Sequence, residues 1–241
     1  MKKNKEIILD DVLTFIQEEG IEIAYNSTEK TNLDISSTIF KQLSNEDINI
    51  TKPYLEQSII SLFVDGGEGT GFIVSPDGYV ITCAHCVDNN KIIKGRVSFY
   101  INESQKIQSY FDLDVLKVDK TNDVALLKIK ENNIDFKYLQ LSDINKIYEP
   151  LDEFIVIGYP FGGETYTSPS YTIGKIASVN NIENNREVVF ADMFGVPGSS
   201  GSPIIDRKTK KVIGIYWGGI SKGDSIIKSF TPIKFIWNLF T

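Results

Sequence analysis

The stretch VPGSSGSP, residues 196–203, places serines between glycines and prolines, and the rest of the chain is organised around it. Glycine and proline set tight turns, so such a run can expose one serine and point backbone N–H groups at a position beside it. By itself the pattern is also typical of an ordinary surface turn. Two upstream stretches change its meaning. YVITCAH, residues 79–85, ends in the chain's single histidine, and NDVALL, residues 122–127, has an aspartate at its start.

These stretches supply His85, Asp123 and Ser200 in that order. A serine hydroxyl is a weak nucleophile and needs a base within hydrogen-bond reach, for which histidine suits because its pKa lies near neutral pH. A carboxylate on the other ring nitrogen would fix the tautomer and stabilise the imidazolium. Each residue alone has a structural explanation, as a bonded histidine, a strand-starting aspartate or a turn serine. Their joint occurrence at predicted strand ends favours a catalytic triad.

Composition narrows the classes of protein to consider. The 241 residues are 41% hydrophobic, enough for one domain or two small ones that share an interface. Many short β-like runs and little helical periodicity favour an all-β fold. The formal net charge of -7 and the scattered lysines argue against nucleic acid as a partner. No apolar run of about 18 residues occurs, so no membrane span is predicted. We predict no cofactor and no metal.

The start of the chain and its cysteines bear on location. The basic start MKKNK is not followed by the apolar segment that a signal peptide needs. Cys83 and Cys86 flank His85 closely, unlike the separated cysteines of secreted domains. Both features favour a reduced, cytoplasmic protein. The spacing leaves open a redox switch or half of a metal site, but zinc would need two further ligands and only His85 is available. We favour small buried thiols.

The chain changes character near residue 52. Before it, apolar residues at helical spacing predict one helix that ends at Gly20 and a second near Ile39. This helical extension either packs against the barrel that follows or acts as an adaptor or regulatory segment. After it, strand-like runs predominate, GGEG (residues 66–69) is predicted to be a flexible link, and PDG (residues 76–78) a hairpin turn. The strands are predicted at residues 58–64, 70–75, 79–82, 97–101, 109–118, 123–130, 153–158, 171–179, 187–191, 203–206, 212–217 and 225–230. A short helix over residues 232–240 closes the chain.

Four stretches resemble the trypsin-like serine peptidases, and within them the HtrA-like bacterial branch. They are GTGFIVSPDGYVIT (69–82) leading to His85, NDVALL (122–127), FIVIGYPFG (154–162) and GSSGSP (198–203). The order His, Asp, Ser is that of chymotrypsin and differs from the subtilisin and α/β-hydrolase orders. The resemblance implies two antiparallel six-stranded β-barrels with the triad in the cleft between them. Residues 53–145 would form the first barrel, residues 146–241 the second with the C-terminal helix, and residues 1–52 the helical extension.

The resemblance also implies an activity and its residues. It implies a serine endopeptidase that acts on protein or peptide substrates, with an oxyanion hole formed by the N–H groups of Gly198 and Ser200. The pocket for the P1 residue, which precedes the cleaved bond, is lined in this family by residues before the nucleophile and by a later strand. Here these are Phe194, Gly195, Ile215, Tyr216, Trp217 and Gly218. Phe194 stands where trypsin has its aspartate, so the sequence predicts an apolar P1 residue.

The sequence departs from the family at two places. No PDZ domain follows the matched region, and Ser199 replaces the aspartate that pairs with a freed N-terminus in trypsin-type zymogens. Two alternatives therefore stay open beside the protease. One is a latent protein on a protease fold, which binds or regulates and needs a partner, for instance a regulatory protein on the extension. The other is an esterase that uses the same acyl chemistry.

Overall fold

The structure, a computed structural model, describes residues 51–65, 67–87, 93–102, 105–183, 185–222 and 225–241. Except for its last two residues, the predicted helical extension lies outside the described part. Within that part, no helix is both long enough and apolar enough to cross a bilayer.

The first half of the described chain forms one closed barrel, in the strand order β1-β2-β3-β6-β5-β4. All of its strand pairs are antiparallel. Its elements are α1 (Lys52–Gln57), β1 (Ile59–Val64), β2 (Gly67–Ile73), β3 (Tyr79–Thr82), α2 (Ala84–Val87), β4 (Ile93–Asn102), β5 (Gln105–Asp119) and β6 (Val124–Ile129).

The second half repeats the architecture in the order β10-β11-β12-β9-β8-β7. All-β architecture with two six-stranded antiparallel barrels, as predicted, is thereby confirmed. The predicted boundary after residue 145 falls between β6 and β7. The elements are β7 (Glu153–Gly158), β8 (Ser170–Glu183), β9 (Arg186–Asp192), β10 (Pro203–Asp206), β11 (Val212–Lys222), β12 (Ser225–Pro232), α3 (Ile233–Trp237) and a 3₁₀ turn (Asn238–Phe240).

The flexible link predicted for residues 66–69 is wrong for residues 67–69, which form the start of β2. Gly67 pairs with Val64 and Gly69 with Leu62, in a hairpin with β1. Glycine is tolerated in this strand because another part of the chain approaches it closely. A Cβ atom at Gly69 would lie 3.0 Å from the sulfur of Cys86, on the short helix α2. The absence of a side chain therefore lets α2 pack against β2.

The C-terminal helix, also confirmed, returns to the first barrel. Ile233, Ile236 and Trp237 of α3 are buried in the same apolar cluster as the first barrel's strands. The indole N–H of Trp237 donates to the carbonyl oxygen of Ser142 at 2.8 Å. The chain thus runs from the first barrel to the second and then back, and its last turns bind the two barrels together.

Candidate active site

His85 and Asp123 are in direct contact at the edge of the first barrel. His85 lies on α2, directly after β3, and Asp123 lies in the turn before β6. The backbone N–H of His85 donates to Oδ1 of Asp123 at 2.9 Å, and Nδ1 of His85 lies 2.8 Å from Oδ2. Asp123 has a left-handed backbone (φ 57°). In the same turn, the N–H and side-chain amide of Asn122 donate to the Asp119 carboxylate. This turn therefore aims the Asp123 carboxylate at α2.

The two side chains of the pair differ in their exposure to solvent. The side chain of Asp123 is 9% exposed, whereas that of His85 is 49% exposed. The hydrogen bond with the Asp123 carboxylate, and a further one with Cys86, raise the pKa of His85 to about 10. Nδ1 is thereby fixed as a donor to the carboxylate, and Nε2 is the ring nitrogen left for chemistry. The arrangement is that of an oriented base with its carboxylate partner.

The loop that carries Ser200 is shaped by two glycines. Residues 196–199 form a turn in which the N–H of Ser199 donates to the carbonyl of Val196 at 3.0 Å. Gly198 has φ +89°, which this position of a type II turn requires, and a Cβ there would lie 2.5 Å from the carbonyl oxygen of Tyr159. Gly201 has the same φ, and a Cβ there would collide with the carbonyl of Thr70. Ser200 stands between these two positions.

Contacts with the first barrel bring Ser200 close to the His85 helix. The N–H of Thr70, on β2, donates to the carbonyl of Ser200 at 2.9 Å, and its hydroxyl donates to the carbonyl of Gly198 at 2.9 Å. The sulfur of Cys86, the residue after His85, lies 3.7 Å from the same Ser200 carbonyl oxygen. The three predicted triad residues therefore lie in one region, at the junction of the two barrels.

The Ser200 hydroxyl has a hydrogen-bond partner, whereas two backbone N–H groups of the same loop have none among the described residues. The Ser200 hydroxyl donates to the carbonyl oxygen of Trp217 at 3.3 Å. Among the described residues, the N–H groups of Gly198 and Ser200 have no hydrogen-bond partner. Two unpaired donors beside one serine are the arrangement that can stabilise an oxyanion. The assignment of the triad and the oxyanion hole stays a prediction.

The residues predicted to bind the substrate fall into two groups. Phe194 is half exposed, and Gly218 has open space where a Cβ would be. Ile215 and Tyr216 are buried, so Ile215 can support a pocket only from behind. A Cβ at Gly195 would collide with the Tyr216 hydroxyl, which therefore packs directly against this glycine. Trp217 is partly buried, and its carbonyl faces Ser200. Substrate binding by these residues stays a prediction.

Arg186, the first residue of β9, is a residue of the site that sequence reasoning missed. Its Nη1 lies 3.6 Å from Oδ2 of Asp123, and both side chains are 9% exposed. Its guanidinium carbon lies 3.7 Å from the centroid of the Trp217 ring. The partners of Arg186 are distant in the chain, so spacing could not reveal the contact. Thr70, in contrast, lies in one of the family-like stretches, which is the signal that could have found it.

A metal site is a poor fit to the donors that are present. The sulfur of Cys83, a ring nitrogen of His85 and a carboxylate oxygen of Asp123 lie within 4.8 Å of one another. Burial, however, raises the pKa of Cys83 well above its usual range, and its thiol donates to the carbonyl of Tyr216 at 3.2 Å. Nδ1 of His85 is already bonded to Asp123. A metal is bound by deprotonated ligands, and in this group the Cys83 thiol keeps its proton while the Asp123 carboxylate is engaged by His85.

Comparisons with known proteins identify the family of the chain. The family model of the trypsin-like peptidase domain matches residues 69–215, more than half of the chain. The chain belongs to the trypsin-like peptidases. It is 30% identical over 138 residues to a "Probable periplasmic serine endoprotease DegP-like" of Chlamydia pneumoniae, covering 57% of this chain and 26% of the relative. The chain thus spans about a quarter of that relative's length.

Solved structures of trypsin-like peptidases share the fold. The MamO protease domain of Magnetospirillum magneticum has a TM-score of 0.63 at 19% identity, covering 77% of this chain and 96% of that domain. The HtrA-type protease AlgWS227A with tripeptide has a TM-score of 0.62 at 20% identity, covering 77% of this chain and 59% of that one. At these identities the two structures show the shared fold, and the resemblance to the HtrA-like branch is carried by the DegP-like relative.

Proposed function

We propose that this chain is a serine endopeptidase that cleaves peptide bonds through an acyl-enzyme intermediate. The observation that carries the proposal is the double hydrogen bond between His85 and Asp123, beside a loop that holds Ser200 between two glycines in the left-handed conformation. Membership of the trypsin-like peptidases supports it.

The proposed reaction has two half-cycles, acylation and deacylation, which use the same groups. The Ser200 hydroxyl turns from the Trp217 carbonyl toward Nε2 of His85, which takes its proton as Oγ forms a bond to the substrate carbonyl carbon. The oxyanion is stabilised by the N–H groups of Gly198 and Ser200. The C–N bond then breaks, and the imidazolium gives the proton to the leaving amine. Water attacks the ester in the same way, releases the acid and regenerates the hydroxyl.

A covalent probe tests the nucleophile directly. A fluorophosphonate should label the wild type and not Ser200→Ala, and the same substitution should abolish cleavage of a denatured protein. Ser199→Ala is the matched control, since Ser199 is the adjacent serine and is buried. It should retain labelling. Labelling that persists in Ser200→Ala would place the nucleophile elsewhere.

The P1 pocket is proposed to accept small apolar residues. Its predicted wall at Phe194, Gly195 and Tyr216 carries no charge, and the Tyr216 hydroxyl occupies the space beside Gly195. Peptides with Val at P1 should therefore be cleaved faster than peptides with Leu, and both faster than peptides with Arg. Tyr216→Val should enlarge the pocket and raise the Leu-to-Val ratio of kcat/KM by about 10-fold, within the range for one or two methylene groups. Faster cleavage after Arg would refute the apolar pocket.

A latent protease-fold protein is the second candidate, because two features describe a resting site. The Ser200 hydroxyl is bonded to Trp217 rather than to His85, and a His85 with a pKa of about 10 is protonated at neutral pH. An imidazolium cannot accept the serine proton. The wild type is tested for labelling at each pH up to about 10 and with a range of added peptides. If it is never labelled, the chain acts by binding. An esterase is separated from a peptidase by comparing turnover of matched ester and amide substrates.

The cellular location and the partners of the protein are also open to test. We propose a cytoplasmic protein with free thiols at Cys83 and Cys86, both buried. The name of the Chlamydia pneumoniae relative points instead to the periplasm. Fractionation of cells that express the full chain decides between them. Cleavage-site mapping with wild type against Ser200→Ala would identify natural substrates, and co-purification with and without residues 1–52 would reveal a regulatory partner.

A further inference from the structure

Arg186 is the one charged group from the second barrel recorded in contact with the proposed catalytic pair, within the described residues. It opens β9 immediately after the turn at Asn185, which has a left-handed backbone (φ 62°). Nη1 of Arg186 lies 3.6 Å from Oδ2 of Asp123, the same oxygen that bonds Nδ1 of His85 at 2.8 Å. One carboxylate oxygen thus faces an imidazole and a guanidinium together.

The same guanidinium stacks on Trp217. A separation of 3.7 Å from the ring centroid is a close cation–π contact. The carbonyl of Trp217 accepts the hydrogen bond from the Ser200 hydroxyl. Arg186 therefore touches both the residue that orients His85 and the residue that holds Ser200.

The burial of Arg186 is not accounted for by hydrogen bonding. Its Nε, like the indole Nε1 of Trp217, is buried and has no hydrogen-bond partner in the described part of the chain. A buried guanidinium with unused donors is costly, and removing the one carboxylate beside it would leave the charge uncompensated. This cost indicates that the charge acts on Asp123 rather than adding to stability.

We propose that Arg186 is a positioning residue that joins the Asp123 carboxylate to the Trp217 indole. It thereby holds in place the carboxylate that orients His85 and the residue whose carbonyl binds the Ser200 hydroxyl. The proposal rests on the serine endopeptidase function proposed above. Arginine is always charged, so it also offsets part of the field of Asp123 at His85. The titratable and charged groups that face His85 are Asp123 and Cys86, with Cys83 behind Cys86 and Arg186 behind Asp123.

The sign of the effect on His85 follows from these charges. Asp123 raises the pKa of His85, and a cation beside Asp123 opposes that rise. Removing the cation should raise the pKa of His85 further, by about one pH unit, the lower end of the range for a nearby charge. A merely structural arginine would leave the His85 pKa unchanged.

The test uses the full chain and the variant Arg186→Met, which keeps a long apolar side chain over Trp217 but removes the charge. Because His85 is the only histidine, the ¹⁵N signals of one imidazole report its titration. We expect a His85 pKa about one unit higher, kcat lower by about 10-fold and KM little changed. Arg186→Lys keeps the charge but not the planar stacking, so it should retain the wild-type pKa while kcat still falls.

Arg96→Met is the matched control. Arg96 is also buried and also lies over aromatic rings, those of Phe63 and Tyr159, and it has no recorded contact with Asp123. The control should leave the His85 titration unchanged. If Arg186→Met does not fold, Arg186→Gln removes the same charge and takes its place. An unchanged His85 pKa and an unchanged kcat in the charge-removing variant would overturn the proposal.

The two proposals can fail separately. If the wild type neither labels nor cleaves, the peptidase function fails, while the imidazole titration still tests the action of Arg186 on His85 through Asp123. If the wild type is active and Arg186→Met matches it in titration and rate, only the role of Arg186 fails.

Discussion

At the scale of single residues, the proposed chemistry depends on one imidazole. His85 is held by two hydrogen bonds to Asp123, one from its backbone and one from its ring. The backbone bond fixes where α2 begins, and the ring bond fixes the tautomer. A substitution that keeps the shape of Asp123 but removes its charge therefore separates orientation from electrostatics.

Asp123→Asn should lower the pKa of His85 from about 10 toward its ordinary value of 6.5, because the carboxylate is the main group that raises it. The ¹⁵N titration of the imidazole measures this directly. Since only the neutral ring is a base, wild-type kcat/KM should rise with pH up to about 10, and the variant should reach its plateau at lower pH. Its plateau kcat should fall by about 10⁴-fold, because the amide favours the wrong tautomer.

The control for this prediction is Asp119→Asn. Asp119 shapes the same turn by accepting two hydrogen bonds from Asn122, and no contact between Asp119 and His85 is recorded. It should leave the pKa of His85 nearly unchanged. A pKa for His85 that is the same in wild type and Asp123→Asn would show that the carboxylate does not control the base.

At the scale of elements, β2 joins the two halves of the site. Its residue Thr70 is fully buried and makes three hydrogen bonds across the junction and one within the first barrel. The N–H binds the Ser200 carbonyl, and the hydroxyl binds the Gly198 carbonyl and accepts from the N–H of Tyr159. Its own carbonyl accepts from the hydroxyl of Thr82 at 2.7 Å. A first-barrel strand thus holds the second-barrel loop that carries Ser200.

Thr70→Val tests this role, because valine has the same shape but no hydroxyl. The N–H of Tyr159 and the carbonyl of Gly198 would then lack partners in a buried site, at a cost of about 1–3 kcal/mol each. We expect lower stability in urea unfolding and a fall in kcat of more than about 10-fold, with KM little changed. Ser58→Ala, which removes a buried hydroxyl bonded to Tyr54, should lose stability without a comparable loss of kcat. Equal losses of kcat in both variants would contradict the role of Thr70.

The elements also show what the sequence can and cannot predict. Apolar runs and turn signals predicted β1 and the strands from β3 onward, since both act locally. The glycines at the start of β2 were wrongly predicted to be a link, because glycine is usually a loop residue. Here the lack of a side chain at Gly69 lets Cys86 approach the strand closely. The contacts of Arg186 and Tyr216 were not predictable, because each depends on the packing of strands distant in sequence.

At the scale of the whole molecule, the last residues tie the barrels together. The α3 helix follows β12 of the second barrel, yet its side chains pack in the core cluster of the first. Lys117 of β5 adds a hydrogen bond from its ammonium to the carbonyl of Thr241 at 2.6 Å. Stability of one barrel should therefore depend on the other.

Trp237→Ala should destabilise both barrels in a single transition. Removing a buried tryptophan costs about 3–5 kcal/mol, and the bond to Ser142 is lost with it. Urea unfolding is followed by far-UV circular dichroism and by the fluorescence of Trp217, which is then the only tryptophan. Coincident curves, shifted to lower urea, are expected. Two separate transitions would show that the barrels fold independently.

The strand that holds the loop of Ser200 also bears on how the protein is made. Thr70 is translated before Gly198, whose carbonyl its hydroxyl binds and which lies 128 positions later. Until that later segment has been translated, the hydroxyl proposed as the nucleophile does not exist in the nascent polypeptide. The first barrel is therefore made before the proposed peptidase can act on its neighbours or on itself.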